Sequence, residues 1–256
     1  MGVRSLPSER WLQHDDRRDD DLFEKDRLTA QHPRNTFVAL PGSETASERV
    51  RDLVAADLAS NGWELRSCGT HPLETAGRSV QEDLCLMELV AGRWVMTAGS
   101  VCFPTRWDLL SKLGRSLAEI HLPVPGFEQQ LSGQVERFFD RMSAGSLAHR
   151  LNWSLVGTSD RRLDARVRQA PAQMPDDPGR QLFIRMERQT LRRLDDHDAI
   201  VFGIRIHAWP LGDVAAELPA EKFAKELETM PIAVAEYKNL DGMREQLVEW
   251  LLEDKG

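Results

Sequence analysis

Apolar residues along this chain recur with two different periods, and the change of period divides it into predicted helices and strands. The first clear helix lies between Ser43 and Gly62, where apolar residues fall at helical spacing. Ser and Thr residues precede the repeat and Asn-Gly follows it, as is typical of the two ends of a helix. The apolar positions are Val50, Leu53, Val54 and Leu58.

The segments that follow have the composition and alternation of strands. Residues 81–90 and 93–103 flank Ala91-Gly92, which predicts an antiparallel hairpin with a tight turn. Three more strand-like runs occupy residues 150–156, 181–189 and 200–209. We therefore expect an antiparallel sheet of about five or more strands.

Two amphipathic helices are predicted between the hairpin and the third strand. The first spans Trp107 to Ile120 and must end there, because two prolines follow at positions 123 and 125. The second runs from about Phe127 to Met142. Helical spacing returns near the C-terminus, so the predicted fold class is α+β, with an antiparallel sheet and flanking helices.

The first 42 residues differ in composition from the rest of the chain. They are polar and charge-dense, with seven consecutive charged residues from Asp15 to Asp21 and few apolar anchors such as Trp11. We predict a charged N-terminal arm over residues 1–42 and a single domain over residues 43–256. The 256 residues, 41% of them hydrophobic and 29% charged, have an ordinary globular composition.

Charge and cysteine usage exclude several classes of partner. The 33 Lys and Arg against 41 Asp and Glu give a net charge of -8, which disfavours nucleic acid and anionic lipid. No run approaches the roughly 18 apolar residues of a membrane span, and no apolar signal region opens the chain, so we expect a cytoplasmic protein. The three cysteines fit neither a disulfide framework nor a metal motif, which predicts free, buried thiols.

His121 is the histidine whose position suggests chemistry. It lies at the edge of the leucine-rich face of the predicted helix that ends at Ile120, and it is aimed at apolar interior. A single neutral imidazole in an apolar slot suits haem iron, because the porphyrin supplies four ligands. Alternatively, the imidazole caps the last carbonyl groups of its helix. The local pattern leaves both interpretations open.

Arg188 is the second unusual residue. In the predicted strand, alternation places Arg188 on the apolar face with Ile184 and Met186, and Arg185 and Glu187 on the other. A guanidinium on an apolar face implies a buried acceptor if the strand continues that far. If the strand ends at Glu187, the segment is a solvated turn.

Residues 161–193 form a basic region. They contain nine Arg and four acidic residues, a local charge of 9 - 4 = +5, which suits carboxylate or phosphate partners or an ordinary solvated face. Asn152 and Trp153 lie on a strand just before this region. Trp153 is interpreted as core or cofactor wall, and Asn152 as a buried amide or a turn residue.

Six short segments occur in a fixed order that resembles a known family: DLCLMEL, TAGSVCFPTRW, KLGRSLAEIHLPVPG, RLNWSLV, RMERQTLRRL and YKNL. Over about residues 45–245 they resemble the haem-dependent oxidative N-demethylase α-subunit family. The resemblance implies a PAS-like domain that binds haem b through one histidine. It also implies a polar distal pocket for oxygen beside a small secondary amine.

The resemblance assigns roles to individual residues. His121 becomes the axial ligand of the haem iron, Glu187 seats the ammonium of the substrate and Arg188 polarises oxygen, the latter two as catalytic residues. Arg185 is assigned to a haem propionate, and the pair Asn152-Trp153 to the cofactor pocket. These assignments coincide with the histidine and the arginine that the local patterns had singled out.

The implied activity is oxidation of a small secondary methylamine by oxygen. The chain has no flavin or iron–sulfur fingerprint, so the electrons would come from separate reductase subunits that carry those cofactors. Two other interpretations remain: a haem-based gas or redox sensor, and a non-catalytic module that binds a small ligand.

Overall fold

A computed structural model describes residues 2–122, 132–165 and 173–253 of the chain. Its centre is a single antiparallel sheet, whose described strands are β1 (Arg4–Ser5), β2 (Phe37–Ala39), β3 (Asp83–Val90), β4 (Arg93–Ser100), β5 (Leu147–Val156), β6 (Phe183–Arg193) and β7 (Ala199–Pro210). The order across the sheet is β1-β5-β6-β7-β3-β4-β2. The predicted α+β class is confirmed, and two short strands join the five that the pattern had indicated. The PAS-like description stays a prediction.

Helices surround this sheet. In chain order the described helices are α1 (Arg18–Gln31), α2 (Pro33–Thr36), α3 (Glu44–Ser60), α4 (Pro72–Gly77), α5 (Leu117–His121), α6 (Ser132–Arg141), α7 (Pro178–Gln181), α8 (Leu211–Glu217), α9 (Ala220–Thr229), α10 (Ile232–Tyr237) and α11 (Arg244–Leu252). Across the described ranges, none combines the length and apolar character needed to cross a lipid bilayer.

The hairpin and the first long helix form where the pattern placed them. Ala91 and Gly92 connect β3 to β4 with φ angles of 49° and 76°, and both positive values suit the twist of a two-residue hairpin turn. Helix α3 occupies the predicted segment and buries Val50, Val54 and Leu58.

The predicted helix from Trp107 to Ile120 is wrong. The structure has a short 3-10 turn at Leu110–Lys112, after which Leu113 is extended and Gly114 takes a φ of 73°. This left-handed residue interrupts the helical spacing, and helix α5 starts afresh behind a capping box of Ser116 and Glu119. The predicted helix over residues 127–142 is present as α6, and residues 127–131 lie outside the described residues.

The N-terminal 42 residues contribute β1, α1, α2 and β2, and the indole of Trp11 is fully buried. Two of the charges in the predicted arm are buried against the sheet, while the division of the chain into an arm and a domain stays a prediction. Asp21 and Lys25 lie in the interior with charged partners from the sheet.

The two faces of the sheet carry different neighbours, as the pairing register shows. Arg188 lies opposite Arg205, so these residues define one face, called here the Arg188 face. Glu187 lies opposite Asn152, which defines the Glu187 face. The N-terminal segment and α3 cover the Arg188 face, whereas α5 and α6 pack against apolar residues of the Glu187 face.

The three cysteines are free, as predicted. Cys85 and Cys102 are buried, and burial raises the pKa of the Cys102 thiol to about 12. Both side chains therefore act as small apolar groups in the core.

Candidate functional site

Glu187 is the centre of a polar cluster on the Glu187 face. Its carboxylate accepts hydrogen bonds from Gln189 Nε2 at 2.7 Å and Asn152 Nδ2 at 3.3 Å, and from the hydroxyl of Thr105. The side chain is 8% exposed, and among the described residues it makes no ion pair within 4.0 Å. A buried carboxylate held by neutral donors has lost hydration without gaining a direct cation, so it is suited to receive one.

The sequence places these donors by simple strand geometry. Gln189 follows Glu187 by two positions on β6 and therefore shares its face. Asn152 is the direct cross-strand neighbour of Glu187 on β5. Thr105 comes from the segment after β4, which a bridge between Thr105 and Leu163 fixes in place.

Arg185 lies on the same face but uses its donors on this chain. Its guanidinium is fully buried, and Nε donates to Thr105 Oγ1 at 2.9 Å. The two terminal nitrogens donate to backbone carbonyls of two loops, including Phe103 at 3.0 Å and Arg161 at 2.7 Å. Burial lowers the pKa of Arg185 to about 10. These bonds tie two loops to the sheet, and the assignment of Arg185 to a propionate stays a prediction.

Tyr237 and Lys238, at the C-terminal end of α10, extend the cluster towards the C-terminal helices. Lys238 Nζ donates to the carbonyl of Trp153 and lies 4.9 Å from the centre of that indole. Burial lowers the pKa of Lys238, and the charge of Glu187 opposes this shift. Burial and Glu187 together raise the pKa of the Tyr237 phenol. Lys238 thus places a cation within the electrostatic field of Glu187 without a direct ion pair.

A cleft of about 330 Å³ opens beside this cluster. Three consecutive residues of β5, from Leu151 to Trp153, form one wall, and α9, α10 and Lys238 form the other. Because consecutive strand residues point to opposite faces, the cleft runs along the edge of β5. Asn152 belongs to the lining of the cleft and donates to Glu187, so the cleft and the Glu187 cluster are adjacent.

His121 ends helix α5 on the same side of the sheet. Its Nδ1 lies 2.8 Å from the carbonyl of Leu117, so Nδ1 carries the proton and Nε2 carries the lone pair. Burial lowers the pKa of the imidazole, with smaller contributions from Lys112 and Arg150, which favours the neutral form. The helix-cap interpretation expected a bond to the last carbonyl groups of the helix, whereas this bond goes to the first residue of α5, so that interpretation stays a prediction. The same bond is one that commonly orients a metal-binding imidazole.

The residues around His121 fit a haem ligand in several respects. The preceding Ile120 packs against an apolar cluster that includes Trp94 and Phe139, and Arg150 supplies a nearby cation. His121 lines neither the large cleft nor a second cavity of about 40 Å³ beside Trp107. Among the described residues no group of three or more His, Cys, Asp and Glu side chains could hold a bare metal ion. A haem requires only one of these ligands.

Arg188 is not part of the Glu187 cluster. Strand β6 continues to Arg193, so Arg188 is buried on the opposite face, as strand alternation requires. Its guanidinium donates to the carbonyls of Trp11, at 3.0 Å, and Arg10. The predicted buried acceptor exists and is the backbone of the N-terminal segment. The assignment of Arg188 to oxygen and of Glu187 to the ammonium stays a prediction, and the two side chains lie on opposite faces of the sheet.

Sequence reasoning missed four polar residues of this region. Gln189 could have been found, since it shares the face of Glu187 by alternation. Thr105 and Lys238 lie within two of the quoted segments, TAGSVCFPTRW and YKNL, but nothing in those segments shows that they converge. Arg150, opposite Gln189 in the register, follows from the pairing of β5 with β6.

One family model matches the chain. Its description is haem-dependent oxidative N-demethylase, alpha subunit-like, and the match covers residues 59–248. This range contains the Glu187 cluster, the cleft and His121. Most of the N-terminal segment that covers the Arg188 face lies before it.

Proposed function

The chain belongs to the haem-dependent oxidative N-demethylase, alpha subunit-like family, and from this premise we propose that it is a haem-binding subunit that oxidises a small secondary methylamine. Oxygen is the oxidant, and separate reductase subunits with flavin and iron–sulfur centres supply electrons. Haem b is the proposed cofactor. When bound, it supplies the iron centre at which oxygen is reduced while an amine methyl group is oxidised.

His121 is the residue proposed to hold the iron. The carbonyl of Leu117 fixes the proton on Nδ1, so Nε2 is the nitrogen whose lone pair would bind the iron. The lowered pKa of the imidazole keeps it neutral, as a metal ligand must be. Arg150 would supply a cation for a propionate in place of Arg185, whose donors bind loop carbonyls.

Glu187 is the residue proposed to bind the amine. A small secondary amine is protonated near neutral pH, as lysine is, and its N–H groups can donate to the carboxylate. Gln189, Asn152 and Thr105 keep the carboxylate oriented before the amine arrives. The observation that carries the proposal is this buried carboxylate, on the sheet face against which the helix of His121 packs. Among the described residues its hydrogen-bond donors are all neutral.

The experiment combines two substitutions in protein reconstituted with haem. The wild-type protein should show a Soret band that shifts with CO, and His121→Ala should lose or alter that band. Glu187→Gln should keep the band but release at least about tenfold less formaldehyde from a secondary methylamine supplied with reduced electron carrier and oxygen.

Two results would contradict these assignments. An unchanged absorption spectrum in His121→Ala would rule out His121 as the ligand of the iron. Oxygen binding without turnover of any methylated amine would favour a gas sensor over an enzyme.

A further inference from the structure

The cleft beside β5 holds a cation close to the anion that binds the amine. Asn152 lines the cleft and donates to Glu187, so a molecule on Glu187 borders directly on the cleft. Lys238 lies in the opposite wall, where it bridges to the carbonyl and ring of Trp153. The region thus presents one negative and one positive group that do not neutralise each other by direct contact.

This pair of charges is held rigidly. Glu187 is fixed by hydrogen-bond donors on the sheet. The backbone of Lys238 is fixed because this residue directly follows α10, whose Ala235 is buried in the C-terminal core. Lys238 uses one N–H on the carbonyl of Trp153, which leaves donors for a second acceptor. Lys238 and Glu187 influence each other electrostatically across the edge of β5, so a ligand that carries both a cation and an anion could contact both groups.

We propose that the cleft is a substrate subsite for the second substituent of the amine, and that this substituent carries a carboxylate. The preferred substrate class is then an N-methyl amino acid, with its ammonium on Glu187 and its carboxylate on Lys238. This inference rests on the proposed function. It names the substrate class of the same site.

The walls of the cleft support a short carboxylate arm. Leu151, Met230 and Val234 offer apolar surface to methylene groups, while Thr229 adds a hydroxyl at the rim. Glu226, the acidic residue of the lining, is exposed on α9. A purely cationic substituent would instead place a second positive charge beside Lys238, which Coulomb repulsion disfavours.

The test measures binding to the full chain without turnover, by titration calorimetry with N-methylglycine and with dimethylamine. Wild-type protein should bind N-methylglycine about tenfold more tightly, and Lys238→Met should remove that preference. The affinities for the two ligands should respond differently to this substitution. The affinity for N-methylglycine should fall, whereas the affinity for dimethylamine should stay or rise because a cation beside Glu187 is gone.

Control variants separate this inference from the proposed function. Lys225→Met removes an exposed lysine of α9 that pairs with Glu228 at 3.6 Å, and it should leave both affinities unchanged. Lys238→Arg should retain part of the preference, which a merely structural role of the stem would not explain. Glu187→Gln should lower the affinity for both ligands.

The outcomes that overturn the inference differ from those that overturn the function. Equal affinity of wild-type protein for the two amines, or a preference that survives in Lys238→Met, removes the carboxylate subsite but leaves amine binding on Glu187. If neither amine binds, both the carboxylate subsite and amine binding on Glu187 are ruled out.

Discussion

The buried charges of the Arg188 face and the buried carboxylate of Glu187 have different kinds of partner. On the Arg188 face, buried charges meet partners: Arg205 pairs with Asp21 at 2.8 Å and Arg188 donates to backbone carbonyls. On the Glu187 face, a buried carboxylate has neutral donors and, among the described residues, no ion pair within 4.0 Å. Fully paired buried charges hold segments of a chain together, and the paired charges of the Arg188 face are called here the joint. A buried charge without its counterion is, in contrast, typical of a binding site.

This contrast arises within three consecutive residues of β6. Glu187, Arg188 and Gln189 alternate between the faces, so one strand serves both purposes. The joint holds the N-terminal segment, most of which lies before the family match. The binding site lies within that match.

The largest effect should come from breaking the joint at Arg205. In Arg205→Met, buried Asp21 and its neighbour Asp15 each lose an ion pair at 2.8 Å. Arg161 and Gln81 remain beside Asp21, so we expect a loss of about 3 to 4 kcal/mol in the free energy of unfolding. Urea denaturation measures it. The exposed pair of Arg27 with Glu24 is the control, and Arg27→Met should leave the midpoint unchanged. Equal midpoints for the two variants would contradict the distinction between the faces.

A smaller effect is expected at Arg188, and it should separate stability from binding. Arg188→Met removes hydrogen bonds to the carbonyls of Arg10 and Trp11, which should lower the free energy of unfolding by about 2 to 3 kcal/mol. Its affinity for dimethylamine should equal that of wild type, because the side chain is on the far face. Glu187→Gln should show the reverse pattern, with little change in unfolding and weaker amine binding. Weaker amine binding in Arg188→Met would show that this arginine contributes to the amine site.

Local periodicity explains why much of the fold could be predicted. The hairpin, helix α3 and the three long strands depend on neighbours in sequence, and their patterns are complete within each segment. The predicted helix from Trp107 failed because its apolar spacing is helical, while Gly114 alone changes the backbone direction. The apolar residues of this segment, such as Leu109, Leu113 and Leu117, are packed in the core without a continuous helix.

The site was predictable only where it follows from one strand. Glu187 and its face could be read from alternation, as could the opposite orientation of Arg188. The acceptors of Arg188 lie 177 and 178 residues away, and Lys238 is 85 residues from the carbonyl it binds. No local pattern encodes such contacts, because they depend on how distant elements pack.

The smallest effect should be a pH dependence on the Arg188 face, at His207. Burial, with the nearby charge of Arg205, lowers the pKa of this imidazole to about 4, and its Nε2 lies 3.1 Å from Gln13 Oε1 of the N-terminal segment. Between pH 6.5 and 4 the unfolded chain binds a proton that the folded chain excludes, so stability present above pH 6.5 is lost as pH falls. We expect wild type to lose about 1 to 2 kcal/mol more than His207→Gln over this window, measured by urea denaturation at a series of pH values. The difference between the two proteins cancels other titrating groups, such as Glu82. Parallel profiles would show that protonation of His207 does not loosen the N-terminal segment, and the joint would then depend on its arginines alone.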